Sequence, residues 1–389
     1  MSRCVAVQTL SGEWVLAVDP DNKGRGECWF DRVEPGAVPA PVPGFIQDIF
    51  PNYHGVAWYW HVFRIEKKTQ KVGEIAERRL LRFGAIDYLG EVWVNGRYAG
   101  SYEGGETPFE LDVSDAIDAD GENLLAVRVL NPADTPIDGI ALSEIPHANR
   151  TNSTRAGSST NMGGITCPVE LRTVPAAYVS DVLALPDMHT GEIAVSVTVQ
   201  SSLSTATAAC VSVSVAPAQT GEVIACGRQE VELPPGLSEH ESTMCVSRPR
   251  AWQLDDPYLY RVTATLAVDS ESAHESSVRV GFRELRVVDG YFHLNGRRIF
   301  LKSAHTCPGT RRDVLNAKAA GFNMIRFIAG VADPRQLELC DEVGLMVYEE
   351  CRAGWQLADS PKMGERFDHS TSAMIRRDRN HACVAIWAC

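Results

Sequence analysis

Two β-sandwiches followed by an α/β unit is the fold class that the sequence predicts, and three observations predict it. Short runs rich in β-branched and aromatic residues, divided by Gly, Asn and Pro, fill the chain up to about Phe282. Clean period-2 alternation marks the middle of the chain, as at Ile193, Val195, Val197 and Val199. From Tyr291 onward the pattern changes to strands alternating with helices, which requires parallel pairing in a βα barrel or an open α/β sheet.

The first region, residues 1–180, carries strand-like runs at Val56–Ile65, Arg79–Phe83, Tyr88–Val94 and Leu124–Val129. Asn95-Gly96 supplies the two positive-φ residues of a tight hairpin. Pro35, Pro39, Pro41 and Pro43 predict an extended segment poor in strand, because proline donates no ladder hydrogen bond. Many short strands at this spacing predict a sandwich or jelly roll. Asn131 to Asn161 reads as a long polar loop, and a loop of that length in a compact domain is functional or disordered. Residues 181–283 repeat the alternating pattern at Glu192–Gln200, Ala209–Val215 and Tyr260–Val268, and an immunoglobulin-like sandwich is expected there.

Residues 284–389 open on Tyr291–Leu301, a hairpin turning at Asn295-Gly296. Four apolar strands are expected at Ile299–Ser303, Met324–Ile328, Leu345–Glu349 and Val384–Trp387. Between the second and third, Asp333-Pro334-Arg335-Gln336 reads as an N-cap, a proline at the first helical position and a capping-box Gln. Gly344 is placed to end that helix, and Gly321 the one before it.

Composition narrows the function. A net charge of −13 argues against nucleic acid or an anionic membrane as partner, since both select a basic face. No apolar run approaches the roughly 20 residues needed to span a bilayer. Eleven scattered cysteines without a Cys-x-x-Cys fit reduced thiols in the cytoplasm, and no structural metal or other cofactor is expected. On this view the sequons at Asn149 and Asn152 stay unused.

The barrel-like stretch resembles glycoside hydrolase family 2, the β-galactosidase and β-glucuronidase family. The residues that carry the resemblance include Phe292–Arg298, Leu301–His305, Ala320–Arg326, Cys340–Glu350 and Arg377–His381. Val42-Pro43-Gly44, Gly55–Tyr59, Val92–Gly96 and Glu103–Phe109 look like the family's sugar-binding jelly roll, while Asp256–Tyr260 and Val280–Glu284 look like its sandwich. The resemblance implies a jelly roll, an immunoglobulin-like sandwich and the first half of a (β/α)8 TIM barrel, about four strands. It also implies retaining hydrolysis of O-glycosidic bonds, with a carbohydrate as substrate. In the family the His381 motif runs on through a Trp into an Asn-Glu pair that provides the acid/base. Here the sequence stops at Trp387-Ala388-Cys389, so neither catalytic carboxylate is expected in this chain, and a truncated, inactive protein is expected. A half barrel would expose apolar surface and need a second copy or the other barrel half as partner. The rival expectation is a carbohydrate-binding or assembly module without catalysis.

Retaining hydrolysis needs two carboxylates about 5 Å apart, and barrel enzymes place such groups at the C-terminal ends of strands. The strand ends offer His305, Arg326 and the adjacent pair Glu349 and Glu350. Alternation sends only one glutamate of that pair inward, and the spacing leaves open which one. Arg326 interrupts an apolar strand and therefore requires a carboxylate or a polar pocket; the resemblance makes it a support for the active site. His305, Arg326, Glu350 and the loop residue Asp138 are the candidate substrate contacts; a plain ion pair to Arg326 is the alternative for the glutamate, and a solvated loop carboxylate the alternative for Asp138. Trp58, Tyr59 and Trp60 read as core rather than as a sugar-stacking platform. Asp378, Asn380 and His381 precede the fourth strand, where position implies stability rather than catalysis.

Overall fold

The computed structural model describes residues 6–66, 77–146, 161–268, 271–305, 309–328, 330–351 and 359–388. The sequons at Asn149 and Asn152 and the terminal Cys389 lie outside the described residues. Residue contacts form two compact units, one of Val5–Val174 with Cys351–Arg377, the other built on Pro175–Glu350 with Asp378–Cys389.

The first unit begins with β1 (Ala6–Thr9), β2 (Gly12–Asp19), β3 (Val38–Val42), the one-turn helix α1 (Ile46–Ile49) and β4 (Gly55–Arg64). It continues through β5 (Glu77–Phe83), β6 (Ile86–Asp87), β7 (Leu89–Val94), β8 (Arg97–Glu103) and β9 (Phe109–Asp112). β10 (Glu122–Asn131), β11 (Gly164–Ile165) and β12 (Val169–Pro175) complete it. A four-stranded sheet, β1-β12-β5-β9, faces a six-stranded one, β3-β2-β4-β10-β7-β8, with β11-β6 as a short extra pair. The apolar run of β4 is explained by burial on both faces. Ala57 and Tyr59 enter the core between the sheets. Val56, Trp58 and Trp60 enter a second cluster with Trp29, Trp93, Ile140 and Ile145. With Trp58 fully buried and Tyr59 and Trp60 each 1% exposed, these rings are core.

Two expectations are corrected here. The proline-rich segment is not strand-poor: Pro39 and Pro41 lie in β3, opposite Val15 and Glu13. β3 is the edge of its sheet, and alternate residues there turn their N–H side away from the ladder, so proline loses nothing. The stretch after Asn131 is also less loop-like than its polarity implies. Ile140 and Ile145 are buried, and Ile137 and Ile140 exchange two backbone hydrogen bonds around Asp138-Gly139.

The second unit starts with β13 (Ala177–Pro186), β14 (Glu192–Ser201), β15 (Thr207–Pro217) and β16 (Ala225–Leu233). β17 (Gly236–Cys245), β18 (Tyr260–Val268) and β19 (Glu271–Val280) follow. They form a sandwich of β13-β14-β17 against β16-β15-β18-β19, all antiparallel. The alternation read in β14 is the packing pattern: Ile193, Val195, Val197 and Val199 all point into the core.

A three-stranded meander, β20 (Leu285–Val288), β21 (Tyr291–Leu294) and β22 (Arg297–Arg298), turns at Asn295 and Gly296, both at positive φ. The unit then runs through β23 (Ser303–His305), α2 (Arg311–Ala319), β24 (Met324–Phe327), α3 (Pro334–Val343) and β25 (Met346–Glu350). β26 (Val384–Ala388) closes a parallel sheet ordered β23-β24-β25-β26. Helix α3 has the termini that the sequence predicts. Asp333 and Gln336 form a reciprocal capping box, Pro334 stands in the first turn, and Gly344 ends the helix in the left-handed conformation.

The first parallel strand lies further along the chain than Ile299–Ser303. The Asn323 side chain occupies the backbone there, accepting from Lys302 N–H at 2.8 Å and donating to Phe300 C=O at 2.8 Å. Strand pairing therefore begins only at Ser303. The remaining helix, α4 (Pro361–Asp378), is grouped up to Arg377 with the jelly-roll unit. There Arg366 pairs with Glu103 and donates to Glu144 C=O at 2.9 Å, and Arg377 donates to Glu106 C=O at 3.2 Å.

Candidate functional site

Parallel register places neighbouring strands' partner residues on one face of the sheet. His305 is opposite Arg326, Arg326 opposite Tyr348, Tyr348 opposite Ile386, and Glu350 opposite Ala388. His305, Arg326, Tyr348 and Glu350 therefore share a face, at or near the C-terminal ends of their strands. The Arg326 guanidinium forms an ion pair with Glu350 and lies 5.0 Å from the centroid of the Tyr348 ring. Arg326 remains 36% exposed at its side chain, Glu350 only 14%, so the cation is anchored and still reachable. An arginine held by a carboxylate and an aromatic ring presents fixed donors to ligand oxygens.

The glutamate left ambiguous by the sequence is thereby placed. Glu350 joins Arg326, whereas Glu349 projects from the opposite face, is fully buried, and accepts the Ala332 N–H at 3.0 Å just ahead of α3. The two adjacent carboxylates are thus not an acid/base pair facing one substrate.

Asp138 sits at positive φ in the first unit, inside a cluster of charges. Its carboxylate accepts from Arg128 at 2.6 Å, Arg25 at 2.9 Å and Asn22 at 3.0 Å. Arg128 is fully buried and also donates to Glu91 at 2.6 Å. Burial pushes the Asp138 carboxyl up, but the charges of Arg128 and Arg25 and the Asn22 hydrogen bond outweigh it and hold the group below the usual carboxylate range. The sequence contained a signal for this cluster that was missed. Arg128 interrupts an apolar strand just as Arg326 does, and a buried guanidinium requires carboxylate partners.

Asp378, Asn380 and His381 precede β26, and the structure gives them packing partners. His381 Nδ1 is 2.6 Å from Asp341 Oδ2, and Asp341 Oδ1 accepts the Cys383 N–H at 2.7 Å. Metal-ligating atoms of Asp341, His381 and Cys383 lie within 4.8 Å of one another, a grouping that sequence spacing concealed. The chemistry of the donors favours hydrogen bonding over ligation. Cys383 Sγ donates to Leu337 C=O, and burial raises its thiol well above its ordinary pKa. Arg283, given no role from sequence, donates to Ala382 C=O at 2.8 Å and to Val384 C=O. Burial depresses its guanidinium pKa.

Residues 38–175 match the family model described as glycosyl hydrolases family 2, sugar binding domain, and residues 177–283 match the model described as glycosyl hydrolases family 2. The chain belongs to glycosyl hydrolase family 2. A β-galactosidase of Thermoanaerobacter pseudethanolicus is 26% identical over 355 residues, covering 86% of this chain and 44% of that protein. A β-glucuronidase of Paenibacillus borealis is 25% identical, covering 98% of this chain and 67% of that one. The chain thus spans less than half the length of the first of these curated relatives. Among solved structures, the Bacteroides uniformis β-glucuronidase superposes with a TM-score of 0.81 at 21% identity, over 99% of this chain and 46% of that chain. The Lactobacillus rhamnosus β-glucuronidase superposes at 0.80 with 24% identity, over 100% and 66%. At these identities the superpositions establish the fold shared by this family 2 chain and those enzymes.

Proposed function

We propose that the face bearing His305, Arg326, Tyr348 and Glu350 contacts the sugar of a β-glycoside, within the opening half of a (β/α)8 barrel. The observation that carries this reading is the Arg326–Glu350 ion pair, anchored yet reachable near the C-terminal ends of parallel strands. A barrel of this kind reads its substrate at that end, and family membership supports a glycoside as that substrate. Related proteins bear the names β-galactosidase and β-glucuronidase, so retaining hydrolysis of one of these sugars is the reaction proposed for the family 2 enzyme to which these residues contribute. The buried thiols of Cys340 and Cys383, which form no disulfide, suit a cytoplasmic setting.

For the 389 residues alone we propose binding without hydrolysis. Of the two strand-end glutamates, Glu349 holds a backbone amide in the interior and Glu350 is tied to Arg326, which leaves no nucleophile and acid/base pair on this face among the described residues. The test combines calorimetric titration with galactose- and glucuronate-type inhibitors and assays on p-nitrophenyl β-glycosides. Binding that weakens roughly 10- to 100-fold in Arg326→Ala supports the site, a loss in keeping with one charge-assisted contact. Wild-type affinity in that variant would refute it, and turnover by the 389-residue chain would refute the non-catalytic reading.

A further inference from the structure

The segment that leads into β26 is fastened to the sandwich by side chains. Arg379 forms an ion pair with Asp181 on β13. Asn380 Oδ1 accepts the Ala184 N–H at 3.0 Å while its Nδ2 donates to Val182 C=O at 2.8 Å. β13 is the edge of its sheet, so one amide side chain takes the place of a neighbouring strand at these two backbone groups. From β19's exit, Arg283 grips the carbonyls of Ala382 and Val384, on either side of Cys383. The backbones approach closely here: a Cβ at Gly281 would come within 2.8 Å of Ala382 Cβ and of Trp252 Cβ. In the described sheet β26 has a single strand neighbour, β25, and the register between them shifts at Val347/Tyr348.

We propose that the immunoglobulin-like sandwich is a positioning element for β26, with Asp181, Arg283 and Asn380 as its positioning residues. The sandwich then fixes the height at which β26 presents its C-terminal end beside Glu350, rather than serving as a spacer or a binding module. This inference rests on the proposed sugar-binding face only for its functional consequence.

Hydrogen–deuterium exchange on the 389-residue chain tests it without reference to sugar or turnover, so its failure is distinguishable from failure of the glycosidase reading. Asn380→Ala and Arg283→Lys are each expected to speed exchange of the Val384–Trp387 amides about tenfold, the effect of losing one or two local hydrogen bonds. Exchange in β24 and β14 should stay at wild-type rates. Lysine at 283 keeps the charge but lacks the fork that spans two carbonyls. Asp181→Asn, at a partly exposed pair, gives a milder version should either variant fail to fold. Unchanged exchange in β26, or equal loosening of β24 and β26, would overturn the proposal.

Discussion

His381 Nδ1 stands 2.6 Å from Asp341 Oδ2, and the second oxygen of that carboxylate receives the Cys383 N–H at 2.7 Å. One buried side chain of α3 thus fixes both a ring and a backbone amide at the entry to β26. Asp341→Ala would leave both groups without that acceptor and should cost about 1–3 kcal/mol for each group left unsatisfied. Asp341→Asn keeps an acceptor for Cys383 and should cost less, roughly 1–3 kcal/mol. Urea unfolding of the two variants checks the order; equal and small losses would show that the carboxylate contributes little.

The Asp138 cluster predicts a pH dependence. Its carboxyl is held below the unfolded value of about 3.9 by Arg128 and Arg25 against the cost of burial. A depressed folded pKa means that the stabilisation is complete above about pH 4 and is lost as pH falls through the folded value. The stability gap between wild type and Asp138→Asn should therefore be constant from pH 5 to 7 and shrink on further acidification. A gap that widens in acid would contradict the assignment.

Gly344 offers a backbone test. It ends α3 at φ 78°, and a Cβ there would collide with the Leu254 carbonyl. Gly344→Ala should lose at least about 1–2 kcal/mol from the left-handed conformation alone, and more from the collision. Gly296, also at positive φ but with open space around it, should lose only the conformational part in Gly296→Ala. Thermal melts of the pair separate the two contributions.

Trp60 separates core from sugar platform. It is 1% exposed and its Nε1 donates to Trp29 C=O at 2.7 Å. Trp60→Ala should destabilise the jelly-roll unit by about 3–5 kcal/mol. At temperatures where the variant remains folded, glycoside affinity should match wild type; a selective loss of affinity would reinstate the platform.

Much of the fold was legible because its signals are local. Asn295-Gly296, the Asp333 capping box, Gly344 and the alternation of Ile193 to Val199 each state a backbone preference within a few residues. The strand beginning at Ser303 was misplaced because Asn323, some twenty residues on, supplies the hydrogen bonds that end the loop. The proline strand was misread because only sheet order shows that β3 is an edge.

By itself, then, the sequence determined the element types, the turns and caps, the two sandwich patterns and the family motifs around Arg326. Tertiary structure alone decided which charges meet. It set Glu350 rather than Glu349 against Arg326, drew Asp138 into a cluster with an arginine 113 residues away, and gave Arg283 and Asn380 their hold on β26. The physical reason is range. Backbone propensity acts through the next turn of chain, whereas the cost of burying a charge is met by whichever partner the fold brings within about 3 Å.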